Sequence, residues 1–257
     1  MNLSSKEALT KINGWVSEKT EHMIEEFLQE APSEDVQMIL LNAVYFKGEW
    51  KEQFDKEDTV REKFYGKDKT SEIDLMCQYD KKYRYIETDG IKAIELPYEN
   101  ENIVMDILLP LSEDGDIHKI FSKLSEKKKS NIFKKLSKTE PEQIASVIVP
   151  KFEIEYGVQE ITNHLKSLGM NRAFDSQTAE FSKISSGLYA GAVFHKAKIE
   201  VDEEGTQAAA ATEVQMRKIT CAVGEKLFIA DQPFLFVVRD KANDMILFMG
   251  SVQNLGE

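Results

Sequence analysis

Cysteine is scarce in this chain, with two residues, Cys77 and Cys221, among 257. Two thiols cannot build a disulfide framework, and the sequence leaves open whether they pair. Long apolar runs are missing too. Nothing approaches the ~20 residues needed to cross a bilayer, so no membrane partner is expected. The opening Met1-Asn-Leu-Ser-Ser-Lys-Glu7 lacks the apolar stretch of a secretory signal. Its Asn2-Leu-Ser triplet is a glycosylation acceptor only in a secreted chain, and such triplets arise often by chance. A basic surplus is absent, and a net charge of −12 argues against nucleic acid as a partner. That acidity speaks mainly to solubility.

Catalytic motifs are missing as well. There is no Gly-x-Ser-x-Gly elbow, no phosphate-binding Gly-x-x-x-x-Gly-Lys loop, no His-Glu-x-x-His and no Cys-x-x-Cys. His22, His118, His164 and His195 are scattered at spacings that suggest no metal cluster. A serine–histidine–acid set needs no local adjacency, but no local signature raises it here. The expectation is a protein that is not an enzyme and carries no cofactor or metal.

What is present is a globular balance, 42% hydrophobic and 30% charged residues. Residues 5–30 read as a helix, with Ile12, Trp15, Val16, His22, Met23, Ile24 and Phe27 at mixed three- and four-residue spacing. Met38–Phe46 is an apolar run suited to a strand buried on both faces, interrupted by Asn42. Residues 73–110 read as meandering strands broken at Asp89-Gly90, Pro97 and Asn100–Asn102. Asp116–Lys138 turns helical and lysine-rich. Its Lys127, Lys128, Lys129, Lys134 and Lys135 are either a polyanion site or a solvated helix face, and the second reading is favoured. Ala145–Ile154 reads as strand with a bend or edge at Pro150. Residues 157–169 read as a helix capped by Gly169, and Leu188–Val201 as a strand. Strands grouped with strands and helices with helices predict an α+β fold with mainly antiparallel sheet. The isolated apolar strand needs sheet neighbours, which nothing upstream of it supplies.

Glu200–Thr212 stands apart, because an acidic β-branched run passes through Gly205-Thr206 into four alanines. By propensity, Ala208–Ala211 favour a short helix with Gly205-Thr206 at its start. In extended form, Thr206, Ala208, Ala210 and Thr212 share one small face, and Gln207, Ala209 and Ala211 the other. Both readings stay open on propensity and pattern, which suits a segment with two available states.

Glu203-Glu-Gly-Thr-Gln-Ala-Ala-Ala-Ala-Thr212 resembles the hinge and proximal reactive loop of inhibitory serpins. Leu41–Trp50 resembles a strand of that family's central sheet, and Ile12-Asn-Gly-Trp-Val16 the start of its sixth helix. Val149–Phe152, Val193–Lys196, Asp231–Phe236 and Leu247–Gly250 match further family stretches in order. The likeness covers essentially all 257 residues and implies a single, incomplete serpin domain over 1–257. It begins after the family's first five helices and early strands, which implies a truncated chain. Residues 203–232 are then the hinge and reactive-loop region.

The resemblance implies a serine-type endopeptidase inhibitor that acts as a suicide substrate. A protease attacks the exposed loop, and the freed hinge inserts into the central sheet as an extra strand. Glu203, Glu204, Gly205, Thr206, Gln207, Ala208, Ala209, Ala210, Ala211 and Thr212 would form the hinge. Asn42, His195, Trp50 and Lys151 would form the polar and aromatic network governing sheet opening, with Glu203 paired to Lys151. Counting on from Glu203 by the family pattern gives Ile219–Thr220 as the scissile bond, whereas counting back from Pro233 points near Ala222. Arg217, Lys218, Ile219 and Thr220 are the candidate scissile residues, and the basic pair suits a trypsin-like serine protease. Extracellular action is implied by resemblance. The alternatives are a non-inhibitory serpin and an inactive truncated fragment. Non-inhibitory members commonly carry bulky or charged hinge residues, which this hinge lacks.

Overall fold

The computed structural model describes residues 3–33, 36–46, 48–112, 115–205 and 225–256. In chain order the elements are α1 (Lys6–Lys19), β1 (Ile39–Phe46), β2 (Val60–Tyr65), β3 (Thr70–Thr88), β4 (Ile91–Pro97), β5 (Ile103–Pro110), α2 (Ile117–Lys123) and α3 (Glu126–Lys138). Then come β6 (Glu142–Pro150), β7 (Phe152–Glu160), α4 (Thr162–Ser167), β8 (Ala192–Val201), β9 (Leu227–Ile229), β10 (Phe234–Asp240) and β11 (Met245–Val252). The chain divides into two units, one from residues 1–46 and 153–199, the other from 47–152 and 200–257.

The first unit holds a three-stranded sheet in the order β1-β8-β7. Strands β1 and β8 run parallel, with Ile39 opposite Ala192 and Phe46 opposite Ile199. The neighbour that β1 needs therefore comes from downstream in the chain. Its burial differs from expectation: Ile39, Leu41 and Ala43 face a packed cluster, whereas Leu40 is 42% exposed. Alternating residues of a strand project to opposite sides, and over 39–43 the odd-numbered side is the more covered.

Helix α1 begins at Ser5, whose hydroxyl accepts the Ala8 N–H at 3.1 Å, and it buries Ala8, Ile12 and Val16. It stops at Lys19, eleven residues short of the helix expected to residue 30. The backbone turns left-handed at Glu21 (φ 50°) and His22 (φ 64°). The Thr20 hydroxyl, deeply buried, donates to the Val16 carbonyl at 2.8 Å and accepts the Ile24 N–H at 3.1 Å. Residues 20–32 then form an irregular strap whose Ile24, Phe27 and Leu28 join the α1 cluster. Residues 157–169 also differ from expectation: strand continues to Glu160, and only Thr162–Ser167 is helical. Gly169, at φ 98°, does close that helix, its N–H meeting the Lys166 carbonyl at 3.0 Å.

The second unit is built on an eight-stranded sheet, ordered β11-β10-β5-β4-β3-β6-β9, with β2 pairing β3 off that path. Strands β3, β4 and β5 form the expected antiparallel meander, turning at Asp89-Gly90, where both residues have positive φ. Helices α2 and α3 start at Asp116 and Ser125, whose side chains accept the Lys119 and Lys128 N–H groups. Their Ile117, Ile132 and Leu136 pack on Ile86, Ile91, Ala93 and Leu108 of the sheet. Each such fully buried aliphatic side chain stabilises by about 1.5–3 kcal/mol. Among these apolar strands lies an ionic cluster. The Arg239 guanidinium donates from Nε to Asp106 and from Nη2 to Glu95 at 3.0 Å. Lys241 and Arg84 reach the other Glu95 oxygen at 2.9 and 3.0 Å. Burial pushes the Asp106 carboxyl up, to about 7, against the pull of Arg239.

Candidate functional site

The first described residues of the Ala-rich segment, Asp202–Gly205, are held by side chains and backbone from residues 48–59 and from Lys151. Three elements position this holder. Trp50 stacks on Tyr98, ring centroids 4.3 Å apart and planes 12° from parallel. The backbone of 49–51 bridges the end of β4, with Lys51 N–H to Pro97 O at 3.0 Å and Glu99 N–H to Glu49 O at 2.8 Å. Lys56–Asp58 form a single helical turn started by Asp55, whose carboxylate accepts the Glu57 N–H at 2.9 Å, and Thr59 follows in extended form. Lys151 sits at the break between β6 and β7, its N–H on Asp74 O at 2.9 Å.

Onto this frame the Asp202–Gly205 turn is pinned at successive residues. The Trp50 indole donates to Asp202 O at 2.9 Å, and the Trp50 N–H donates to Glu204 O at 2.9 Å. The Phe54 N–H donates to Glu203 O at 2.8 Å. The Asp202 carboxylate accepts the Glu204 N–H at 3.0 Å, closing a local turn. Gly205 follows at φ 102°, and a Cβ there would lie 2.1 Å from Gly48 O and 2.6 Å from Trp50 N. Only glycine fits so near a neighbouring backbone in that conformation.

Charge fixes the same residues. The Glu203 side chain is buried, at 3% exposure for the residue. Thr59 Oγ1 donates to its Oε1 at 2.8 Å, and Lys151 Nζ lies 2.9 Å from Oε2. That second contact is Coulombic rather than an aligned hydrogen bond, because Oε2 has no hydrogen-bond partner of good geometry. Burial pushes the Glu203 carboxyl up, but Lys151 and Thr59 together outweigh it and hold the group below its ordinary value. Glu204, more exposed, pairs with Lys56 at 2.6 Å and raises the lysine's proton affinity. Chemically it is a fastening, several moderate bonds on one short turn, which can be undone as a group.

Of the residues singled out in the sequence, Trp50, Lys151, Glu203, Glu204 and Gly205 come together here. Asn42 and His195 stand opposite each other in the β1–β8 register, Asn42 exposed and His195 half-buried, with no side-chain bond recorded between them. Thr206, Gln207, Ala208, Ala209, Ala210, Ala211, Thr212, Arg217, Lys218, Ile219, Thr220 and Cys221 lie outside the described residues. Cys77 is a buried free thiol. The lysine group lies on α3, where Lys128 pairs with Asp89 and Lys129 with Glu126, while Lys127, Lys134 and Lys135 are exposed. Sequence reasoning missed Phe54, Lys56, Thr59 and Tyr98. The apolar Tyr98 after Pro97 carried a faint packing signal, and the other three carried none. Among the described residues no cluster of histidine, cysteine and carboxylates could hold a metal ion, and no helix is long and apolar enough to cross a membrane.

A fold of this kind is met in proteins already known. The family model described as serpin (serine protease inhibitor) matches residues 1–255, and the chain belongs to that family. It is 35% identical over 256 residues to Serpin B13 of Homo sapiens, covering 96% of this chain and 63% of that protein. It is also 35% identical over 248 residues to Intracellular coagulation inhibitor 2 of Tachypleus tridentatus, covering 95% of this chain and 59% of that one. Among solved structures it resembles native protease nexin-1 with heparin, with a TM-score of 0.82, 31% identity, and coverage of 99% of this chain and 67% of that one. The thermophilic serpin Tengpin in its native state matches with a TM-score of 0.80 and 29% identity, covering 98% of this chain and 64% of that one. The chain thus spans about three fifths of the length of the curated relatives it matches.

Proposed function

We propose that this chain works as a serine-type endopeptidase inhibitor, a suicide substrate whose loop becomes a strand. In this reading 1–257 acts as one inhibitor domain, and residues 203–232 are its hinge and reactive loop. The observation that carries the reading is the pinned Asp202–Gly205 turn joined to the bulk-free run Thr206–Thr212. A target protease attacks the Lys218–Thr220 window, its serine oxygen bonding to the scissile carbonyl while the new amine leaves. Arg217 and Lys218 suit a protease whose specificity pocket carries an acid. Once that bond is open, the hinge is no longer tethered at its far end.

The parallel pairing of β1 and β8 supports the next step. The chain leaves β8 at Val201, and a segment that doubles back beside β8 runs antiparallel to it and also to β1. Entry between them exchanges one parallel ladder for two antiparallel ones, the more favourable pairing per residue. Roughly a dozen residues gaining ladder bonds at about 0.5–1.5 kcal/mol each stabilise the inserted form by on the order of 10 kcal/mol. The small face of Thr206, Ala208, Ala210 and Thr212 lets the strand pass before the acyl-enzyme hydrolyses. Extracellular action is proposed on family resemblance alone, and one relative carries the word intracellular in its name.

The test is to express the protein from its native gene and incubate it with a trypsin-like protease. Denaturing gels are expected to show a covalent, SDS-resistant complex. Thr206→Arg, which places a long charged side chain on the small face, is expected to turn inhibitor into substrate. Wild-type protein that is simply cleaved, leaving no complex, would falsify the inhibitory reading.

A further inference from the structure

Gln78 of β3 is a buried amide that no step of the proposed inhibition uses. Both halves of that amide are engaged. Nε2 donates to Glu52 O at 2.8 Å and to Gln53 O at 2.9 Å, and Oε1 accepts the Tyr83 hydroxyl. Strand β3 loses its alternation at Asp80, where φ is 52°, and this brings Gln78 and Tyr83 to one side. Burial, with the nearby Glu52 charge, pushes the Tyr83 phenol up, so it stays a donor at neutral pH. Burying an amide costs stability unless it is bonded, and an aliphatic side chain would fill the same space without that cost. What Gln78 adds is two directed bonds to an irregular stretch of backbone.

That stretch holds the near end of the reactive-loop region. Glu52 and Gln53 lie between Trp50 and Phe54, whose N–H groups bond Glu204 O and Glu203 O. The Lys81–Glu52 ion pair also reaches it, at 3.0 Å, but is exposed on both sides and adds little.

Strand β3 carries the far end as well. Gln78 stands opposite Val147 of β6, and Val147 opposite Phe228 of β9. Residues directly opposite in a ladder share a face, so the three form one buried row across three strands. Phe228 meets the Tyr85 ring edge to face, centroids 6.4 Å apart, and Lys226 Nζ lies 5.5 Å from the centre of that same ring. Strand β9 is itself short, held by Ala230 N–H on Ile148 O at 2.8 Å and by Ala145 N–H on Lys226 O at 2.9 Å. The turn before Thr206 and the strand that ends the loop region are thus both fastened to residues 78–85 of β3.

Close-packed interiors transmit displacement rather than absorb it. Resting on the reading of 203–232 as hinge and reactive loop, we propose that Gln78 couples the two ends of that loop, so that the Asp202–Gly205 turn and β9 loosen or tighten together. The loop is then offered to a protease across a fixed span. Gln78 is a positioning residue, acting through residues 52–54 on one side and through Tyr83 and the Val147–Phe228 row on the other.

Hydrogen exchange on the intact protein, without protease, tests the coupling. Phe228→Leu trims the ring at the far end. The Ala145 and Ala230 amides report that end, and the Trp50 and Phe54 amides the near one. In Phe228→Leu all four are expected to exchange about fivefold faster or more, the lower range for coupled sites, while the β10–β11 ladder keeps its rates. Gln78→Met with Tyr83→Phe removes the relay and leaves no buried hydroxyl unpaired. In that background Phe228→Leu is expected to speed Ala145 and Ala230 as before, but to change Trp50 and Phe54 by less than about twofold. Coupling is reciprocal, so Glu203→Ala at the near end must speed Ala145 and Ala230; it decides the matter should Phe228→Leu fail to fold. Far-end amides that quicken while Trp50 and Phe54 keep their wild-type rates overturn the coupling. So does an equal response in the doubly substituted background, since the link then runs elsewhere. Ends that respond independently in a protein forming its SDS-resistant complex sink the coupling alone, and coupled ends in a protein forming none sink the inhibitory reading alone.

Discussion

Replacing Glu203 tests whether the Asp202–Gly205 turn is held by charge. In Glu203→Ala the Thr59 hydroxyl loses its carboxylate acceptor, a bond to a charged group that contributes about 1.5–3 kcal/mol. The Lys151 pair adds less, because the lysine side chain is 38% exposed and water screens it, so about 0.5–1 kcal/mol is a fair share. Freed Lys151 can rehydrate, so no stranded buried charge enlarges the loss. The net expectation is about 2–4 kcal/mol, a sizeable part of the roughly 5–15 kcal/mol that holds a domain folded. Trp50 supplies a local probe, since it is buried and bonds directly to Asp202 and Glu204. The other tryptophan, Trp15, is exposed, so Trp15→Phe isolates the signal. Urea titrations of wild type, Glu203→Ala, Lys151→Met and the double variant are expected to give a coupling of about 0.5–1 kcal/mol.

Acid sharpens the test. Because the folded carboxyl is held below its ordinary value, its contribution is present above the unfolded value of about 4.3 and is lost as pH falls through the folded one. The stability gap between wild type and Glu203→Ala is therefore expected to close below about pH 4. A gap that persists undiminished at pH 3, or a coupling indistinguishable from zero, would refute the reasoning.

Other perturbations follow from the same geometry. Gly205→Ala is expected to cost about 3 kcal/mol or more, from backbone strain and a Cβ driven into Gly48 and Trp50, seen as faster exchange of the Trp50 and Phe54 amides. Arg239→Met leaves Asp106 without its cation and is expected to cost about 3–5 kcal/mol in urea unfolding. That loss grows as pH rises through neutrality, because burial already holds the Asp106 carboxyl up and ionisation without a partner opposes folding. Cys77, buried and with its thiol pushed up by burial, is expected to react with a thiol reagent at the rate of unfolding rather than at the rate of an exposed cysteine. Labelling at the exposed rate would mean that its strand opens in the native state.

The meander β3–β4–β5 was legible in the sequence because β-favoured runs alternate with turn residues, and Asp116–Lys138 because its pattern turns helical, although the break at Leu124-Ser125 that divides α2 from α3 carried no reading. The strap was not. Ile24, Phe27 and Leu28 keep helix-like spacing because they fill the same cluster as α1, so packing imitates periodicity while the backbone at Glu21 and His22 leaves the helix. Residues 157–160 misled for a related reason: short mixed runs favour neither period, and pairing in the sheet decided. The ionic cluster was invisible since Glu95, Asp106 and Arg239 meet only when β4, β5 and β10 align. Of the site around Asp202–Gly205, Trp50, Lys151 and Glu203 were reached through family resemblance, and Thr59, which donates to Glu203, carried no mark in sequence at all.

The order of strands in the larger sheet also governs how this protein can be made. Strand β10 pairs with β5, Leu235 against Leu108, and β9 pairs with β6, Ser146 against Leu227. The meander can form as soon as residues 70–110 leave the ribosome, since its contacts are local. Its β5 edge and the β6 edge must then wait for residues 227–240, which at about 5–20 residues per second means many seconds of synthesis. During that interval two apolar strand edges stand uncovered in the cell. The nascent chain is thus most exposed to misassociation between the emergence of β6 and that of residues 227–240, and a pause in translation near residue 150 is expected to be more harmful than one after residue 240.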